Sequence, residues 1–322
     1  MSAMTKQSNK PPSLALGYVF GMIMALGAAT SFAMARAGAL RGLAPEDMIL
    51  ARGAVAGLVM LPFLIKWGLP TLAGIGWQRG LLLLLTGGPL FAFLQTGGYA
   101  YAPLAHGAVI APSTVTVLST LGAVVLLGER LTRWHVVGGM TVIAGVVFVS
   151  WHGFAGSAVT DTTWIGDLMF VTSSLLWATF TVLMRKWRID PMRATAVVAV
   201  LTALVVVPGY LAYRGLGRLT TLPADALLAQ GIAQGLIQGV VTLLAYSKAI
   251  AILGVSRAVL FPAVVPAISI LIGIPLVGEW PDHMQITGLV LVTIGLLAAV
   301  GLVARITAFL RPATAAFVPA SC

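Results

Sequence analysis

Cysteine occurs once in these 322 residues, as the last of them, Cys322, so neither a disulfide framework nor a thiolate metal site can be built. Charge is nearly as scarce. Asp, Glu, Lys and Arg together make up 9% of the chain, against about 25% in a soluble globular protein. That shortage excludes a soluble enzyme and a disordered scaffold. The four histidines, at 106, 135, 152 and 283, are scattered and form no HExxH or comparable ligand spacing. No glycine-rich loop closes on Gly-Lys-Ser/Thr, so the chain carries no ATPase of its own. The clustered acids that a membrane transferase needs for a metal and a diphosphate are missing too. No catalytic group, metal or cofactor is predicted.

What is present is apolar length. Hydrophobic residues make up 59% of the chain, mean hydropathy is +1.01, and apolar runs recur from one end to the other. An outer-membrane barrel would instead alternate in segments of about 10 residues. The net charge of +10 would suggest a nucleic-acid partner in a soluble protein. Here the basic residues stand singly or in small groups between apolar runs, as orientation signals do, and no nucleic acid is expected.

A span needs about 20 apolar residues to cross the hydrocarbon. The polar punctuation gives ten, at 17–36, 48–66, 80–101, 106–127, 135–152, 164–184, 194–213, 228–247, 256–277 and 285–304. The predicted fold is an all-α integral membrane protein of ten transmembrane helices. Ala33-Met34-Ala35 reads like a signal-peptide cleavage site, but the apolar stretch is too long for one and more spans follow, so the first span is expected to be retained. With the N-terminus in the cytoplasm, cytoplasmic segments hold 14 basic residues and the opposite side four: Arg36, Arg41, Arg214 and Arg218. That bias predicts cytoplasmic termini at both ends, with tails over 1–16 and 305–322.

The chain repeats itself. Ala108–Glu129 reads AVIAPSTVTVLSTLGAVVLLGE and Ala258–Glu279 reads AVLFPAVVPAISILIGIPLVGE. At an offset of 150, Pro112 meets Pro262, Gly128-Glu129 meets Gly278-Glu279, and Gly138 and Gly145 meet Gly288 and Gly295. At an offset of 149, Gly17 and Arg36 meet Gly166 and Arg185. The halves, 17–152 and 164–304, hold five spans each. An odd number inverts the second half in the membrane, an arrangement of secondary transporters that place substrate where the halves meet.

Leu127-Gly128-Glu129-Arg130-Leu131-Thr132 with Gly138 resembles the "lGErlt…G" segment of the drug/metabolite transporter superfamily, in its EamA-type members. The second copy, Val277-Gly278-Glu279-Trp280-Pro281, keeps Gly-Glu and departs at the basic and leucine positions. The resemblance spans roughly 17–304. It implies a transporter of the bacterial inner membrane working by alternating access, in a family whose bacterial members include exporters of amino acids, aromatic ones among them.

Polar residues inside spans are the default site candidates. Gln230, Gln234 and Gln238 recur every fourth position in the eighth span, and Thr242 and Tyr246 continue the series. Beside them Gly231, Gly235 and Gly239 form a double GxxxG edge for close packing. The stripe either lines a cavity or bonds helices together. In the third span Phe91, Gln95 and Tyr99 share one face, with Tyr101 and His106 near its outer end. Thr30-Ser31-Phe32 in the first span and Ser173-Ser174 with Trp177 in the sixth add hydroxyls and a ring. The predicted substrate contacts are therefore Thr30, Phe91, Gln95, Tyr99, Trp177, Gln234, Gln238, Thr242 and Tyr246. Pro112 and Pro262 are read as paired hinges.

All nine acids fall in loops or at span edges, which argues against a carboxylate proton relay and for uncoupled facilitation or exchange; His106 stays a weak relay candidate. Glu129 is expected to pair with Arg130 or Arg133 at a helix end. Arg52 either binds a substrate carboxylate or snorkels outward toward Glu46 and Asp47. The expected function is export of small neutral metabolites, amino acids including aromatic ones. The alternatives are exchange of anionic phosphorylated metabolites or nucleotide sugars, and a non-transporting assembly partner. The implied partners are a small-molecule substrate and the lipid bilayer; no oligomeric state is assigned.

Overall fold

The computed structural model describes residues 13–154, 162–258 and 260–299, and among these no strand occurs. The tails at 1–12 and 305–322, with Cys322, and the end of the tenth span at 300–304 lie outside the described residues. Among the described residues nine helical spans are long and apolar enough to cross a membrane. They comprise α1 (Leu14–Leu40), α2 (Pro45–Trp67), α3 with α4 (Trp77–Gly87 and Pro89–Tyr101), α5 (Leu104–Leu127), α6 (Arg133–Phe154), α7 (Thr163–Trp187), α8 (Pro191–Thr221), the stretch Ala224–Leu253 and α12 (Leu260–Val277). Within Ala224–Leu253, α9 (Ala224–Gln230) passes into a π-helix (Gly231–Val241) and then α10 (Thr242–Leu253); α11 (Val255–Ala258) and α12 lie on either side of residue 259, which is outside the described residues. A tenth apolar helix, α13 (His283–Ala299), reaches the limit of the described residues. At 27 residues α1 is about 40 Å long, more than the hydrocarbon requires.

The repeated Gly-Glu motif ends a helix in both halves. Gly128 closes α5 at φ 68° and Gly278 closes α12 at φ 74°, a left-handed conformation that glycine alone adopts without a Cβ penalty. Capping repeats as well. Thr132 and His135 bond reciprocally at the start of α6. Asp282 and Gln285, at the same offset of 150, do so at the start of α13.

Helix packing obeys a twofold relation. α6 packs on α13 and α2 on α8, each pairing a helix with its own repeat-mate. Other contacts come in exchanged couples: α1 on α12 with α5 on α7, and α1 on the π-helix and α10 with α4 on α7. Such a self-mapping set is what an isologous twofold demands. Its direction is antiparallel, because Gly145 meets Gly288 while Gly138 meets Gly295. A Cβ on Gly145 would stand 2.7 Å from the Gly288 carbonyl oxygen, and one on Gly288 would stand 2.6 Å from that of Gly145. The halves are therefore two inverted five-helix repeats.

Besides the kink of α8 at Gly215 (φ 68°), two spans that are repeat-mates depart from regular helices. The third breaks at Gly88, while Gly87 packs against Phe180 and Gly97-Gly98 packs inside α4 against Met169 and Phe170. The eighth winds as a π-helix over 231–241, and position 88 plus 150 falls within it. π-Helices are mostly single-turn bulges and concentrate at functional sites.

Candidate functional site

A cavity of about 260 Å³ lies where the two halves meet. Its wall draws on α1 (Ser31, Phe32), α2 (Arg52), α4 (Phe91, Gln95, Tyr99), α7 (Trp177) and the π-helix (Gln234, Gln238), with Pro112 and Pro262 from the repeat-mates α5 and α12. Six of the nine predicted contacts share this wall.

Its apolar side is an aromatic stack. Phe91 lies 4.7 Å from Trp177, and Trp177 lies 4.9 Å from Phe180, ring centre to ring centre. Of these rings Phe91 and Trp177 stand on the wall, where they offer an apolar aromatic surface. The polar side is made of amides. Gln95 Oε1 accepts from Ser173 Oγ at 2.9 Å; its Nε2 and the Tyr99 hydroxyl are buried beside one another, too loosely for a well-formed hydrogen bond. Gln238 Oε1 has no partner. Unpaired buried polar atoms carry a desolvation penalty that a hydrogen-bonding ligand removes.

The glutamine stripe divides its labour. Gln230 Nε2 donates to the Met34 carbonyl and Gln234 Nε2 to the Ser31 carbonyl at 2.7 Å, so both fasten the π-helix to α1. Gln234 also reaches the cavity, and Gln238 faces it. The glycine edge does what the spacing predicts: a Cβ on Gly235 would stand 2.9 Å from the Arg52 carbonyl oxygen, and one on Gly231 would meet Val55.

Three residues of the predicted set stand off the wall. Thr242 spends its hydroxyl on the Ile237 carbonyl, 2.9 Å away, and packs on α1 at Gly27. Tyr246 packs with Met24, Phe261 and Val265 between α1, α10 and α12. Thr30 precedes Ser31, and one residue turns a helix by about 100°, so only Ser31 reaches the cavity. Both prolines stand on the cavity wall, Pro112 from inside α5 and Pro262 from α12.

This geometry, of two inverted five-helix repeats around one cavity, has a match in sequence. The family model described as the EamA-like transporter family fits residues 15–151 and again 164–301. The chain belongs to the EamA-like transporter family. It is a multi-pass membrane protein of a family of small-molecule transporters, which are not enzymes. No curated protein matches the chain. Solved structures do: one, described only as the crystal structure of a protein, is 19% identical with a TM-score of 0.58, over 91% of this chain and 99% of that one. At that identity it speaks for the fold alone.

In this EamA-like chain the charged residues also pair across the repeats. Glu129 accepts from Arg185 on α7, not from the expected Arg130 or Arg133. Arg36, the repeat-mate of Arg185, donates from Nε to Glu279 Oε1 at 2.6 Å and from Nη1 to the Tyr99 carbonyl, while Glu279 Oε2 accepts from Leu104 N at 2.7 Å. Arg36 and Glu279 are 15% and 26% exposed; Arg185 and Glu129 are 51% and 48% exposed. Asp167, expected at a span edge, lies on α7 only 13% exposed, with the buried His106 Nδ1 at 2.8 Å. Their partnership joins residues 61 apart, too far for sequence spacing to signal.

Proposed function

We propose that this transporter carries small neutral metabolites, amino acids including aromatic ones, outward across the bacterial inner membrane by alternating access. The observation that carries the reading is the cavity wall, with stacked Phe91 and Trp177 on one side and the buried, incompletely bonded groups of Gln95, Tyr99 and Gln238 on the other. Rings cover the apolar part of the cargo and the amides orient its polar groups. The basic-residue bias sets both termini in the cytoplasm. Arg185–Glu129 then lies at the cytoplasmic end and Arg36–Glu279 at the outer end, one ion pair for each closure of the carrier.

The movement is facilitation or exchange. A proton-linked version rests on one observation, the enclosed His106–Asp167 pair, whose Nε2 has no partner. Uptake of labelled Phe, Trp, Thr and Lys into proteoliposomes, with and without a pH gradient, separates these versions. Neutral amino-acid uptake that needs no gradient and falls in Gln238→Leu supports the uncoupled carrier. Uptake that requires the gradient and is lost in His106→Gln supports the proton-linked one. No uptake of any of the four by folded protein sinks the amino-acid assignment.

A further inference from the structure

Arg52 is the cation of the cavity wall, and it has no anion. It is half-buried on α2. Among the described residues no carboxylate pairs with it and no acceptor bonds its guanidinium; its one charge-related contact is the face of Phe91, 5.7 Å from the ring centre. The acids nearest in sequence are already engaged. Glu46 pairs with Arg214. Asp47, fully buried, accepts from Tyr210 Oη at 2.6 Å, Arg218 Nη2 at 2.9 Å and Ala44 N at 2.9 Å. Snorkelling toward either acid therefore brings Arg52 no partner.

The repeat isolates Arg52 further. Arg36 and Arg185 are repeat-mates and both serve ion pairs between helices. At offsets of 146 to 150 the counterpart of Arg52 on α8 falls within Val198–Thr202, a buried stretch that carries no charge. A cation required by the packing of α2 on α8 would be expected on both sides of the twofold, and it stands on one. An intramembrane cation that is unpaired and faces a cavity calls for an anionic ligand. A guanidinium presents a planar fork of donors that a carboxylate meets bidentately.

We propose that Arg52 anchors the carboxylate of the cargo, so that the cavity takes small carboxylates whose apolar part lies on the Phe91–Trp177 stack. This deepens the transport reading above and rests on it. Gln238 Oε1 is then an acceptor for an ammonium group where the cargo has one.

The test is binding of labelled probes to the purified full chain in lipid nanodiscs. Phenylalanine, phenyllactate and benzoate carry a carboxylate; phenylalaninamide keeps the ring and ammonium and lacks it. Arg52→Gln and Arg52→Lys are compared with wild type, each checked for monodispersity and thermal midpoint. Wild type should prefer phenylalanine to phenylalaninamide by about ten- to a hundred-fold, the span of a charge-assisted bond. Arg52→Gln should erase that preference, and Arg52→Lys should retain part of it. Should Arg52→Gln fail to fold, the acid-to-amide ratio in wild type and in Arg52→Lys still decides. Binding of benzoate or phenyllactate through Arg52, with no binding of phenylalanine, keeps the anchor and removes the amino-acid cargo. Equal phenylalanine binding by wild type and Arg52→Gln, or equal binding of acid and amide by wild type, overturns the anchor and leaves amino-acid transport standing. Folded wild type that binds none of the four overturns both.

Discussion

Gly138 on α6 and Gly295 on α13 meet backbone to backbone. A Cβ on Gly138 would stand 2.6 Å from the Gly295 carbonyl oxygen, and one on Gly295 would stand 2.8 Å from that of Gly138. The two residues are not repeat-mates of one another; each is the mate of the other's neighbour along the seam, Gly288 or Gly145. Gly138→Val and Gly295→Val should therefore destabilise the protein alike, by about 1–3 kcal/mol for a forced backbone shift. Gly139→Val, one position away and facing open space, should not. Thermal midpoints of the purified variants check this; an unchanged Gly138→Val would refute the close seam.

The two repeated ion pairs should behave unequally. Removing Arg36 strands a carboxylate that is only a quarter exposed, and Arg36→Gln should lower stability by about 1–3 kcal/mol. Arg185→Gln opens a pair about half exposed on both sides and should cost at most about 1 kcal/mol. The exchange Arg36→Glu with Glu279→Arg should recover part of the uptake that Arg36→Glu loses. Uptake and melting on the same preparations measure both effects.

Gln234 and Gln238 should separate fastening from binding. Gln234→Leu removes a 2.7 Å bond to α1 and should lower the thermal midpoint, by about 1 kcal/mol of stability. Gln238→Leu removes an oxygen that has no partner, so stability should hold or rise while uptake falls about tenfold. A Gln238→Leu protein with full uptake would take that residue off the transport path.

Phe91→Ala should change preference more than fold. It removes one ring of the stack and the face under Arg52, a contact of about 0.5–1.5 kcal/mol beyond simple burial. The ratio of Phe to Thr uptake should drop several-fold in Phe91→Ala, with Thr uptake less affected. An unchanged ratio would place the aromatic part of the cargo elsewhere.

Much of this was legible in one dimension because the bilayer simplifies the code. Span length follows from hydrocarbon thickness, and an odd number of spans per repeat forces inversion whatever the side chains do. Phe91, Gln95 and Tyr99 share a face by helical period alone, and they share the cavity wall in the structure. The same period misplaced Thr242 and Tyr246, because a π-helix winds through 231–241 and the regular α-helix beyond it turns them toward α1. Gly88, inside the predicted span 80–101, ends a helix instead of continuing it.

The amino-acid sequence by itself determined the membrane class, the inverted duplication and the residue types of the cavity, since hydropathy, repeat offset and helical period are local properties of the chain. Partner choice was decided only in three dimensions. Glu129 had arginines one and four residues away and took Arg185, 56 residues off. Asp47, five residues from Arg52, took Tyr210 and Arg218 and left Arg52 with the cavity. Charges in a low-dielectric bundle bond to whatever packing brings within reach, and packing joins positions that sequence distance keeps apart.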